Sequence, residues 1–209
     1  MRFTRHLFGP GAPRSARRAL AFPASFLVAG ALVACGDGNT SLYGVASSQN
    51  TIRVTSVWAL SGTPATLPAA YQFTTDSPAR PQILTNGSVN FDVAFDIQPD
   101  NRVSVLPVRT VVPLPPAGAP VIGLQRSAQA FAATERAPDR NYVDDSTFVV
   151  AAGETLIVRL GNAGCIYGEP FYGKFVIDSV IRSERRLVLR SLVNRNCGFR
   201  ALTEGLPKT

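Results

Sequence analysis

Apolar and polar positions alternate most cleanly over Ser88–Gln98 (SVNFDVAFDIQ). Val89, Phe91, Val93, Phe95 and Ile97 share one side; Asn90, Asp92, Ala94, Asp96 and Gln98 share the other. A period of two marks a β-strand and here predicts one buried face and one wet face. Pro99-Asp100-Asn101 supplies a turn, since Pro fixes φ and Asn tolerates the left-handed region. Arg102–Val112 should return antiparallel, with Pro107 placing it at an edge or a bulge. Thr51–Leu60, Tyr71–Thr75 and Val121–Arg126 read as further strands, and Ser61–Ala70 and Ser77–Gly87 as loops. Ser146–Ala151 and Thr155–Leu160, either side of Ala152-Gly153-Glu154, predict a second hairpin. Lys174–Arg182 and Arg186–Asn194, around Ser183-Glu184-Arg185, predict a third. There, pairing Ile181 with Leu187 keeps the apolar sets on one side of the sheet and sets Asp178 opposite Arg190. Gln129–Arg136 is the one short helix expected. The pattern implies an all-β fold: a single antiparallel β-sandwich or barrel of about 7–9 strands over residues 51–206.

The chain before residue 51 is different. Residues 1–18 carry five arginines, and residues 19–34 (ALAFPASFLVAGALVA) carry no charge. A basic stretch, a short apolar stretch and small residues have the order of a secretory signal. The apolar run falls short of the roughly 20 residues of a membrane-spanning helix, and Pro23 interrupts it. Residues 35–50 (CGDGNTSLYGVASSQN) are small and polar and read as a flexible tether.

Leu32-Val33-Ala34-Cys35 resembles the lipobox of bacterial lipoproteins. The resemblance covers residues 1–35 only; no family is recognised for the β domain. It implies cleavage between Ala34 and Cys35 and acylation of Cys35, giving a protein held to a membrane by lipid. Two or more acyl chains hold firmly where one does not. Gly36 stands where lipoproteins retained in the inner membrane often carry Asp, so the resemblance points to the outer rather than the inner membrane of a cell envelope.

Charge supports this division. The protein has 21 Lys+Arg, 14 Asp+Glu and one His. Subtracting the five arginines of residues 1–34 leaves 16 basic and 14 acidic residues over 35–209, a net of +2. The basic balance is thus N-terminal, and nucleic acid is not an expected partner. His6, the only histidine, lies in the signal-like segment. A processed chain would have no Ser-His-Asp or Cys-His catalysis and no His-ligated zinc or copper.

Cys165 and Cys197 are the two cysteines left after Cys35. Outside the cytosol they are expected to pair; two structural thiols or a redox or metal role are the alternatives. Asp92 and Asp96, about 13 Å apart along a strand, are too far apart to act as a glycosidase pair directly. With Asp100 and Asn101 they could form a loose calcium site, but they read first as a solvated strand face and a turn. Tyr167, Phe171 and Tyr172 lie on a Gly/Pro-rich loop and read either as a partner surface or as a cap on the core. Arg182, Arg185 and Arg186 with Glu184 read as a solvated hairpin tip. No G-x-S-x-G, P-loop or Rossmann glycine pattern is present, and no cofactor or metal is expected.

These features describe a lipid-anchored cell-envelope protein whose β domain binds or builds and does not catalyse. Two rival readings fit the same residues. One is a histidine-free hydrolase using carboxylates. The other is an assembly component that recruits an envelope protein or polymer through a strand edge or the aromatic loop.

Overall fold

The computed structural model describes residues 44–85, 87–112, 121–161 and 163–208. The signal-like segment, the cleavage and lipidation positions Ala34 and Cys35, residues 35–43 of the tether and the Pro113–Pro120 stretch lie outside the described residues.

Among the described residues, ten strands form two five-stranded antiparallel sheets, a β-sandwich. One sheet has the order β1 (Ile52–Trp58), β10 (Arg186–Asn194), β9 (Phe171–Ile181), β8 (Thr155–Gly161) and β6 (Val121–Arg126). The other has the order β3 (Ser77–Ala79), β2 (Ala70–Gln72), β4 (Val93–Ile97), β5 (Val103–Pro107) and β7 (Phe148–Val150). Their facing side chains make the main core: Phe91, Val93, Phe95, Val103 and Val105 from one sheet; Leu156, Val158, Phe175, Ile177, Leu187 and Leu189 from the other. The Phe95 and Phe175 rings meet edge-on at 6.2 Å, so the interface includes a favourable aromatic pair.

The β4–β5 hairpin forms as expected, with Phe95 opposite Val105 and Asn101 at φ 68° in its turn. Three details differ. The regular strand starts only at Val93, although Val89 and Phe91 are also buried. The expected wet face is only partly wet: Asp92 and Ala94 are fully buried, while Asn90, Asp96 and Gln98 are half-buried. Pro107 marks neither an edge nor a bulge: it ends β5, an interior strand, and is followed by one helical turn, α1 (Val108–Val111).

The expected second hairpin does not form. β7 pairs with β5, whereas β8 pairs with β6 and β9 in the opposite sheet. The Ala151–Glu154 turn therefore carries the chain across the sandwich. Gly153, at φ +88°, donates its N–H to Ile177 O at 2.9 Å, which ties the turn to β9 and not to a hairpin partner.

The third hairpin forms with a shifted register. Ile181 faces Arg186, not Leu187, and the register shifts between Val188 and Leu189. Asp178 is the extra residue, since Ser179 pairs with Val188 and Ile177 with Leu189. A bulge reverses which side chains point inward. Phe175 and Ile177 thus face the core before it, and Val180, not Ile181, packs on the core after it. The Asp178–Arg190 ion pair forms nonetheless, at 2.5 Å, although Arg190 is opposite Val176.

The expected helix at Gln129–Arg136 is one 3-10 turn, Phe131–Ala133. The expected loop at Ser77–Gly87 contains the short edge strand β3, with Pro78 where an edge tolerates it.

Candidate functional site

The expected disulfide is present: Cys165 and Cys197 are bonded, with Cα atoms 5.9 Å apart. It joins the loop after β8 to the segment after β10. At a sequence separation of 32, chain entropy gives it about 4 kcal/mol.

Beside the disulfide lies a polar clamp that patterning could not show. The Asn196 side-chain oxygen accepts the Ser47 and Ser48 N–H groups at 2.8 and 2.9 Å, and its amide nitrogen donates to Ser48 O at 2.8 Å. Asn50 extends the attachment, exchanging backbone hydrogen bonds with Gly205 and donating its side-chain amide to Ala201 O and Thr203 O. Residues 47–50, placed in the tether on composition, are thus tied to the C-terminal segment. Composition reads them as tether because Ser, Gln and Asn are small or polar; their hydrogen bonds are long-range.

The three loop aromatics do not make one surface. Phe171 and Tyr172 begin β9 and point to opposite faces. Phe171 packs on the main core, while Tyr172 is 6 % exposed in a second apolar cluster and lies 6.3 Å from the Tyr142 ring. Tyr167 alone is exposed, at 79 %, beside Ile166 at 93 %.

The second cluster lies on the outer face of the β1–β6 sheet, where residues 127–143 and the C-terminal segment cover Ile157, Tyr172, Val176 and Leu192. A Cβ at Gly123 would lie 2.6 Å from Tyr142 Cβ, so only glycine admits this ring. Under the strap Lys174 is buried, its ammonium donating to Phe131 O and Thr134 O at 2.7 and 2.8 Å and lying 4.5 Å from the Phe131 ring centre. Burial pushes this amine below its ordinary value, while Glu135 and Glu204 pull it back. It serves as a fastener, with both carbonyls coming from the strap.

The acidic residues also act mainly as ties. Asp76, left-handed at φ 52°, accepts from the Tyr71 hydroxyl at 2.7 Å, Ser191 Oγ at 2.9 Å and Arg53 Nε at 3.1 Å. This joins β2, β10 and β1 across the sandwich. Burial, with the Asp76 carboxylate, pushes the Tyr71 phenol above its ordinary value, against the Ser191 bond. Tyr71, Asp76 and Ser191 are all buried, so the trio offers no group to a substrate. Asp96 accepts from Ser61 Oγ at 2.6 Å and from Arg185 at 2.9 Å.

Arg182 donates to Pro99 O at 3.0 Å, and Arg186 reaches Glu184 and Ser56. The hairpin tip is therefore docked, not merely solvated. Asp92 is no solvated residue either: one carboxylate oxygen accepts the Phe73 N–H at 2.6 Å. Burial raises its pKa from 3.8 to about 6, opposed by the Phe73 and Thr74 amides. Asp144 pairs with Arg109 at 2.6 Å. Among the described residues, no three His, Cys, Asp or Glu side chains gather as metal ligands would.

The sheet edges are short or partly covered. β3 and β7 have three residues each. β6 is bridged through Leu124 to Val143. β1 is met at its two ends by the Asn50–Gly205 bridge and by Pro68 O, which accepts the Trp58 N–H. Edges as short as β3 and β7 resist unplanned pairing. No described helix is long and apolar enough to cross a membrane. Comparison of the chain with protein-family models, with curated proteins and with solved structures gives no match.

Proposed function

We propose that this protein is a lipid-anchored component of a bacterial cell envelope, held by an acylated Cys35, whose β-sandwich works by contact and not by catalysis. The observation that carries the reading is the Cys165–Cys197 disulfide. Persistent disulfides belong to oxidising compartments outside the cytosol, and this one is independent of the lipobox-like Leu32–Cys35 stretch. The outer membrane is the favoured destination, on the residue Gly36.

The non-catalytic part of the proposal is supported by how the acids are used. Asp76, Asp96, Asp144 and Asp178 are each held by an arginine, and Asp92 is fully buried. A carboxylate hydrolase needs two such groups converging on an accessible cleft. Cys35→Ser tests the anchor. The wild-type protein is expected in the membrane fraction through a high-salt wash, while the variant stays unacylated and uncleaved. Wild type and variant with the same N-terminal mass and the same fractionation would reject the anchor.

A further inference from the structure

The exposed apolar side chains at one end of the sandwich coincide with the place where the chain arrives from Cys35. Ser47 and Ser48 are bonded to Asn196. Asn196 adjoins Cys197, Cys197 is bonded to Cys165, and Cys165 precedes Ile166 and Tyr167. One hydrogen-bonded clamp, one peptide unit and one disulfide therefore separate the incoming chain from the loop tip. Ile166 is 93 % exposed, Tyr167 79 %, and Val45, on the incoming chain itself, 94 %. Leu206, next to the Gly205 that bridges Asn50, is exposed at 56 %. Arg195 and Lys208 are exposed beside these residues; the acids there are Glu169 and Glu204.

We propose that this end is a membrane-contact surface: the disulfide-held tip Ile166–Tyr167, with Val45, rests in the headgroup region of the bilayer that holds the lipid on Cys35. The inference depends on the lipid-anchor reading. Its geometric basis is length. The stretch between Cys35 and the first clamped residue, Ser47, spans at most about 40 Å when fully extended. A domain of this size is about 40 Å across. A tether no longer than the domain is across would reach the far end only when fully extended along the side of the sandwich, so the clamped end is the one held nearest the lipid.

The chemistry of the tip fits a lipid surface. Tyr suits the interface between acyl chains and water, because its ring is apolar and its hydroxyl is wet. The disulfide and the Asn196 clamp join the loop to Ser47 and Ser48, so the chain enters the domain beside the tip.

The test uses Tyr167→Trp in the full-length, processed protein, placed in phosphatidylethanolamine/phosphatidylglycerol vesicles with ordinary or brominated acyl chains. Trp58, the only native tryptophan, ends β1 at the opposite end from Asn50 and serves as the reference. Emission from the indole introduced at position 167 should shift to shorter wavelength on the vesicles and be quenched by brominated chains, while wild-type Trp58 emission is unchanged. Ile166→Asp in the same background should abolish that quenching and leave flotation with vesicles intact.

Acylated Tyr167→Trp protein that floats with vesicles but shows no shift and no quenching of the introduced indole overturns the membrane-contact surface and leaves the anchor standing. Quenching that survives Ile166→Asp also counts against the tip. Protein with an unmodified Cys35 that does not float removes the anchor and this inference together.

Discussion

The sandwich has two apolar clusters on opposite faces of its larger sheet, and they are held differently. The one between the sheets consists mainly of Val, Leu, Ile and Phe side chains, crossed by the buried, hydrogen-bonded Tyr71, Asp76 and Ser191. The outer one, around Phe131, Tyr172, Leu192 and Leu202, is smaller and lies under irregular chain. That covering chain is fastened by polar groups: Lys174 to two strap carbonyls, Asn194 to Phe199 O and Ala201 O, and backbone bonds between residues 135–137 and 200–202. Regular strands satisfy their own backbone groups, so apolar contact and a few side-chain ties such as Tyr71–Asp76–Ser191 suffice between sheets. A strap without regular structure leaves donors and acceptors that buried side chains must meet.

If the inter-sheet core carries the stability, Phe95→Ala should have the largest effect, a loss of about 3–5 kcal/mol with a matching fall in the denaturation midpoint. A loss below about 1 kcal/mol would place the stability elsewhere.

Asp92 is a fully buried carboxylate beside the inter-sheet core, and pH reads it. Its folded pKa, about 6, lies above the ordinary 3.8. Between those values the unfolded chain has released the proton and the folded chain still holds it. Its contribution to stability is therefore full below the lower value, falls as pH rises through the interval, and is flat above about 6. The change amounts to about 2–3 kcal/mol. Asp92→Asn should remove that part of the stability-versus-pH curve measured by urea unfolding, and an unchanged curve would assign the dependence to other groups.

Lys174→Met should cost less, about 1–3 kcal/mol for carbonyls left without donors. Its effect should also be local. Amide exchange should accelerate over Phe131–Thr134 and residues 199–202 while β4 and β5 stay protected; uniform acceleration would mean that the two clusters unfold as one. Asp178→Asn should have the smallest effect, under about 1 kcal/mol, because both partners of its ion pair are partly exposed.

The same contrast governs what could be read from the residues. Alternation in Val93–Ile97 and Val103–Val105 identified the β4–β5 hairpin, because one apolar face leaves a period of two. It failed where identity says little about position. Asp178 is an ordinary strand-face acid by composition, yet it is the bulge that sets the register of β9. Phe148–Val150 and Thr155–Gly161 look like hairpin arms, and only their partners reveal that they lie in different sheets. Asn50, Asp76 and Asn196 gave no local signal, since each bonds to a residue over 100 positions away. The disulfide was legible because only two cysteines remained to pair. Grouping Tyr167, Phe171 and Tyr172 by sequence proximity missed that neighbours on a strand point to opposite faces.

The most direct test is the mass of the N-terminal peptide of the protein recovered from its native cells. The expected product begins at residue 35, carries acyl chains on the Cys35 sulfur and comes from the membrane fraction. A soluble cytosolic protein beginning at Met1, with unmodified Cys35 and reduced Cys165 and Cys197, would contradict the account.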